Sequence, residues 1–195
     1  MSHSLIVGGT GMLAGVAVGL ARQKHTVTVV ARDSDGLISL GERVQAVGGK
    51  FNAVHHDYRD AAQMIEKLDT TTAIHGPYDN AISNIHDTPA PQATGQLAEF
   101  LDTIQHTCQY WDILGSSAAD PSLSEERRSF RSRRFASRLD HVIYHEIILG
   151  WKMADHGPRW LTHDEIAHGV LKAMANGAQS TFVGTVTPWS DRPDH

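Results

Sequence analysis

The chain has 195 residues, of which 41% are apolar and 20% charged, and its formal net charge is −5. That length serves for one domain with a proper hydrophobic core, and the composition is ordinary for a globular protein. The acidic balance argues against a general nucleic-acid binder, which needs surplus Lys and Arg to neutralise phosphates.

A single cysteine, Cys108, excludes an intramolecular disulfide and suits a reducing compartment. No apolar stretch is long enough to cross a membrane and no secretory signal precedes the first strand, so a cytoplasmic location is expected. Thirteen histidines raise the question of metal ligation. The pairs His163/His168 and His141/His145 lack a third ligand beside them, so no metal site is expected.

In chain order, Leu5-Ile6-Val7 reads as a strand buried on both faces. It runs into Gly8-Gly9-Thr10-Gly11-Met12-Leu13-Ala14, then a helix from Gly11 to Gln23 and a strand from Thr26 to Arg32. Strand, glycine turn, helix and strand in that order open a dinucleotide-binding fold. Gly8 permits the tight turn, Gly11 lets the backbone approach a pyrophosphate, and Ala14 keeps helix and strand close. The turn residues Gly8, Thr10, Gly11, Met12 and Leu13 are therefore candidate cofactor contacts, since exposed amides at a helix start favour phosphate.

A polar turn, Asp33 to Gly36, leads to a helix from Leu37 to Val47 that Gly48-Gly49 stops. Lys50 to His56 is a third strand and Asp60 to Leu68 a helix, with the polar stretch Asp69 to Pro77 leading away. Tyr78 to Asn84 is the fourth strand. A long helix begins in the Pro89 and Pro91 region and reaches Thr107, and Tyr110 to Leu114 is the fifth strand, opening into Gly115-Ser116-Ser117.

This alternation implies an α/β protein: one doubly wound parallel sheet of about seven strands with helices on both faces. The expected strand order is 3-2-1-4-5, extended by later strands. Ligands in such a sheet bind at the carboxyl ends of the strands, which singles out Arg32, Asp57, Asn84 and Ser116-Ser117.

From Ala118 to Asp140 the regularity breaks, with Arg127, Arg128, Arg131, Arg133, Arg134 and Arg138 close together after Glu125 and Glu126. Two readings stand: a charged, solvated helix or loop, or a flap supplying positive charge to an anionic cofactor or substrate. Val142 to Trp151 reads as a sixth strand. Thr162-His163-Asp164-Glu165 is a capping box that starts a helix running to Asn176, which Gly177 closes. Thr181 to Val186 is the final strand. With no repeat or low-complexity linker, residues 1–195 read as a single domain.

Val7 to Ala14, Arg32, Asp57 and Gly115-Ser116-Ser117 together resemble the short-chain dehydrogenase/reductase superfamily, whose nucleotide-binding unit is a Rossmann domain. The segments Arg159 to Ile166 and Val183 to Val186 are similar to small bacterial proteins of that group. The resemblance implies that residues 8–14 hold the cofactor pyrophosphate. It also implies that Asp57 meets the adenine and that Asn84 lies along the adenosine ribose and the nicotinamide approach. The alternatives are that Asp57 is a surface carboxylate beside Arg59 and that Asn84 simply ends its strand.

Cofactor type turns on the end of the second strand, where an acidic side chain suits NAD and an Arg accommodates the 2′-phosphate of NADP. Arg32 offers a charge-assisted fork to phosphate and Ser34 a further donor, so NADP is expected over NAD. Asp33 runs against that choice if it points inward.

Carbonyl-reducing members of the superfamily use a serine, a tyrosine and, one helical turn on, a lysine. At the corresponding spacing from Ser117 stand Phe130 and Arg134, so the tyrosine hydroxyl is missing and a permanently charged guanidinium replaces the lysine. Tyr144 has Ile148 in the lysine position. Ser117, Tyr144 and His86 are the remaining catalytic candidates, His86 because an imidazole just beyond the fourth strand stands on the cofactor-binding edge and can carry a proton. Two functions follow: an NADP-dependent oxidoreductase of a small molecule, anionic if the Arg segment is a flap, with a non-standard proton donor, or a non-catalytic dinucleotide-binding sensor or scaffold. A homodimer is the default assembly for this kind of sheet.

Overall fold

The computed structural model describes residues 2–86, 92–124 and 138–194. Among these the strands are β1 (His3–Val7), β2 (Thr26–Ala31), β3 (Lys50–His55), β4 (Asn80–Ser83), β5 (Cys108–Leu114), β6 (Val142–Leu149), β7 (Trp151–Ala154), β8 (Gly157–Trp160) and β9 (Ser180–Val183). The helices are α1 (Ala14–Arg22), α2 (Ser34–Ala46), α3 (Ala61–His75), α4 (Ala93–Thr103) and α5 (His163–Asn176). Seven strands form one parallel sheet in the order β3-β2-β1-β4-β5-β6-β9, the expected order extended by two later strands.

Alternation along each strand sends side chains to opposite faces, and each face carries its own core. Ile6, Val29, Ile82, Trp111 and Ile147 pack against α1, α2 and α5 through Val16, Leu20, Leu40, Val44 and Val170. Leu5, Val7, Ala81 and Tyr110 pack against α3 and α4 through Met64, Leu68, Leu97 and Leu101. Full burial of one such Leu contributes about 1.5–3 kcal/mol. Cys108 lies in the second core, where burial pushes its thiol up to about 12.

The helix ends follow their local chemistry. The capping box is formed: Glu165 N donates to Thr162 Oγ1 at 3.2 Å, Thr162 N donates to Glu165 Oε2 at 2.9 Å, and Gly177 ends α5 at φ +66°. Helix α2 begins three residues earlier than the sequence reading, at Ser34, because Asp33 is its N-cap and accepts from Gly36 N at 3.0 Å. Helix α3 continues to His75 rather than ending at Leu68. Thr70, Thr71 and Thr72 stay helical by returning their hydroxyls to the carbonyls of Glu66, Leu68 and Asp69.

The chain after β6 departs most from the expected order. Leu149 ends the strand, and Trp151 to Trp160 forms an antiparallel hairpin, β7–β8, turning at Asp155-His156 with Gly157 at φ +111°. The hairpin is fixed at both ends. Trp151 and Thr185 exchange backbone bonds of 2.9 and 2.8 Å, and Glu165 of α5 takes Arg159 at 2.8 Å and Lys152 at 3.0 Å. Among the described residues no helix is long and apolar enough to cross a membrane, and no group of three His, Cys, Asp or Glu is placed to hold a metal.

Candidate functional site

The turn after β1 is built from glycines with three different jobs. Gly8 sits at φ +82°, donates to Val30 O at 2.9 Å, and has the Asn84 carbonyl 3.3 Å from where a Cβ would stand. Gly9 is buried, and a Cβ there would meet Val29 Cγ1 at 2.6 Å. Gly11 is exposed with nothing within 4 Å of its Cβ direction. Gly8 thus makes the bend, Gly9 lets the turn lie on β2, and Gly11 leaves room for a ligand. Gly9 was not singled out by the sequence reading, which gave the packing role to Ala14; two glycines after an apolar strand were the available signal.

Helix α1 follows at once, with no acidic side chain in its first turn and no side-chain cap at Leu13. Ala14 N donates to Gly11 O and Val16 N to Leu13 O, each at 3.0 Å, so the first turn closes tightly and its positive end faces the glycine turn. The Leu13 side chain is fully buried and Met12 packs against the same core, so any contact from these two is through the backbone. Small residues hold α1 in place: Cβ atoms on Gly15 and Gly19 would collide with Ala167 and Leu171 of α5.

Beside the turn opens a cleft of about 430 Å³ lined by Gly8, Thr10, Val30, Ala31, Arg32, Asp33, His56 and Tyr58. It joins the carboxyl ends of β1, β2 and β3, bringing Gly8, Thr10 and Arg32 together. Asp33, whose carboxylate caps α2, is turned to the helix amide. Ser34 lies elsewhere: it lines a separate groove between α2 and β3 with Leu37 and Phe51. Its expected contribution to a 2′-phosphate is corrected on that ground, because it opens the helix instead of facing the cleft.

Asp57 stands two residues beyond β3. It accepts from Arg59 N at 3.0 Å and Arg59 Nε at 2.7 Å, and Arg32 Nη1 lies 3.7 Å from its Oδ2. The Arg59 hydrogen bonds, together with the two nearby guanidinium charges, hold its carboxyl below the usual range.

On the other side of the switch point, Asn84 is tied across strand ends: its N donates to Val7 O at 3.1 Å and its Nδ2 to Ile113 O at 2.8 Å. His86 is exposed just beyond β4. Ser116 is buried and accepts from Arg192 Nε at 2.9 Å, while Ser117 is exposed on the same short turn after β5. The Arg192 guanidinium lies 5.1 Å from the centroid of the Trp160 ring and 5.4 Å from that of Trp189, so the C-terminal segment folds back onto the turn after β5.

Tyr144 is not brought to this edge. It is the third residue of β6, only 4% exposed, and its hydroxyl donates to Asp112 Oδ2 at 2.7 Å. Burial and the neighbouring Asp112 push that hydroxyl far above the ordinary tyrosine range. Its expected role as a proton donor is therefore corrected: the group is inside the sheet core and committed to a carboxylate. Phe130 and, of the Arg cluster, Arg127, Arg128, Arg131, Arg133 and Arg134 lie outside the described residues, and Arg138 is exposed.

No family model matches the chain. A ketoacyl reductase, HetN of Nostoc sp., is 34% identical over 74 residues, which is 38% of this chain and 26% of that protein. The chain thus matches about a quarter of that relative's length. Among solved structures, a short-chain dehydrogenase/reductase from Serratia marcescens superposes with TM-score 0.73 at 15% identity, covering 94% of this chain and 97% of that one. The chain has the short-chain dehydrogenase/reductase fold. Carveol dehydrogenase from Mycobacterium avium, solved in complex with NAD, shares this fold with TM-score 0.74 at 12% identity, over 95% of this chain and 97% of its own. A variant of actinorhodin polyketide ketoreductase with NADPH gives 0.71 at 15% identity, over 95% and 96%. Solved structures with either nicotinamide cofactor therefore share this architecture.

Proposed function

We propose that residues 1–195 form one NADP(H)-binding unit that acts as an oxidoreductase on a small molecule. The observation that carries this reading is Arg32, the first residue past β2, on the wall of the cleft shared by Gly8 and Thr10. A guanidinium there offers the planar, charged fork that a ribose 2′-phosphate takes. Asp33, the nearest carboxylate in sequence, is occupied as the cap of α2. The open face at Gly11 and the acid-free start of α1 suit a pyrophosphate, and Asp57 stands at the end of β3 where an adenine would lie.

Bound NADPH supplies hydride chemistry. The protein's part is to orient a carbonyl and deliver a proton. Ser117, exposed on the turn after β5, is the group we assign to orienting the substrate oxygen, and His86, exposed after β4, to donating the proton. Arg192 sets a positive charge beside that turn, which supports an anionic substrate. Phe130 and Arg134 leave the usual tyrosine–lysine pair unfilled.

The test is turnover with a panel of ketones and keto acids, followed by loss of NADPH absorbance. Turnover that favours carboxylate-bearing substrates and falls at least about a hundredfold in Ser117→Ala and His86→Ala supports the assignment. NADPH binding without turnover on any carbonyl would leave the protein a binder only.

A further inference from the structure

Arg59 has no role in the reading above, yet its side chain is the best-placed partner of Asp57. The two ends of β2 and β3 open on the same edge, since Ala31 and His55 are register partners in adjacent parallel strands. Arg32 follows the first by one residue and Asp57 the second by two. Arg59 wraps the carboxylate from three sides of its own structure: backbone N to Oδ1 at 3.0 Å, Nε to Oδ2 at 2.7 Å, and Nη2 to the same oxygen. Arg32 approaches that oxygen from the end of the neighbouring strand β2 at 3.7 Å. The side chains of Arg32 and Arg59 are 61% and 52% exposed, so both guanidiniums remain open to a ligand while the carboxylate between them is 25% exposed.

We propose that Arg59 is a specificity determinant for the phosphorylated cofactor: it masks Asp57 so that a 2′-phosphate can sit beside Arg32. This rests on the NADP reading of the cleft. The charge count decides it. Arg32, Arg59 and Asp57 together leave one positive charge at the ribose end; without Arg59 the remaining pair is neutral. Arg32 then turns to the bare carboxylate, and an incoming phosphate meets an unmasked negative charge within a few ångströms. The other acids nearby are already engaged, Asp33 with Gly36 N and Asp60 with Gln63 N. A surface ion pair of this exposure adds little to stability, so a stabilising role does not explain the arrangement.

The experiment is calorimetric titration of the full chain and of R59A, R59A/D57N and R32A with NADPH and NADH, with adenosine 2′,5′-bisphosphate as a probe lacking nicotinamide. R59A is expected to weaken NADPH and the bisphosphate about tenfold or more and NADH less than about twofold, with an unchanged melting temperature. Removing the carboxylate as well, in R59A/D57N, is expected to restore most of the lost preference for NADPH over NADH, a ratio in which any adenine contact of Asp57 cancels. Equal losses for both dinucleotides, no loss, or no rescue by D57N overturns the role of Arg59. If R59A is silent while R32A still costs NADPH selectively, only Arg59's role falls. If the unaltered chain shows no preference for NADPH, the reading of the cleft falls with it.

Discussion

The carbonyl of Asn84 lies 3.3 Å from the point where a Cβ on Gly8 would stand, and Asn84 N donates to the Val7 carbonyl at 3.1 Å. The end of β4 therefore braces the glycine turn after β1, and the two sides of the switch point are built as one piece. Gly8 cannot take a side chain without strain: its φ of +82° lies in the left-handed region and its Cβ direction is occupied. Gly8→Ala should cost about 1–2 kcal/mol in denaturant unfolding. Gly11→Val should leave stability within about 0.5 kcal/mol, since nothing approaches that position. It should nevertheless abolish dinucleotide binding. Retained affinity in Gly11→Val would remove the pyrophosphate from this turn.

Arg32→Ala should weaken NADPH about tenfold to a hundredfold while changing NADH little, because a charge-assisted fork to phosphate is lost and nothing on the NADH ribose replaces it. Fluorescence titration of both dinucleotides checks this. Parallel losses would mean that Arg32 only supports the cleft wall.

Tyr144→Phe should destabilise the fold by about 1–3 kcal/mol, because the buried Asp112 carboxylate loses a donor at 2.7 Å. Cofactor affinity should not move. A variant with normal stability and lost turnover would put Tyr144 back among the catalytic groups.

Stability should fall in mild acid. His3 is fully within the fold, with Nδ1 donating to Gly76 O at 2.8 Å and Nε2 paired with Thr28 Oγ1 at 2.8 Å. Burial lowers its pKa, as it does for His25 and His145. A folded-state pKa below the unfolded one means that the unfolded chain takes up protons first. The contribution is full above about 6.5 and is lost as pH drops from there toward the lowered folded-state value. Urea midpoints measured across that range should decline, and His3→Gln, weaker at neutral pH, should decline less steeply. An identical slope in the variant would assign the acid sensitivity elsewhere.

Much of the fold was legible because the strands that carry it are short apolar runs between punctuating glycines and polar caps. Leu5 to Val7 and Thr26 to Ala31 are buried throughout, and that burial, not alternation, is their signature. What escaped was governed by contacts distant in sequence or by competing local chemistry. Thr70 to Thr72 look like the end of a helix until their hydroxyls return to the preceding turn. The β7–β8 hairpin depends on Thr185 and Glu165, far along the chain, and the sequence reading assigned no element to its turn at Asp155-His156. At the site, Arg32 was readable from its place after the second strand. Asp33 was not, since the same carboxylate serves as repeller or as cap depending on where α2 begins. Tyr144 was misplaced for a related reason: its sequence neighbourhood says nothing of Asp112 on the adjacent strand.

The most direct test of the central claim is calorimetric titration of the unaltered protein with NADPH and with NADH. One-to-one binding of NADPH, at least about tenfold tighter than NADH, is the expected result, with Arg32 reading the extra phosphate. Binding of neither would mean that the glycine turn and the cleft beside it serve only the architecture, and equal binding of both would remove the phosphate from Arg32.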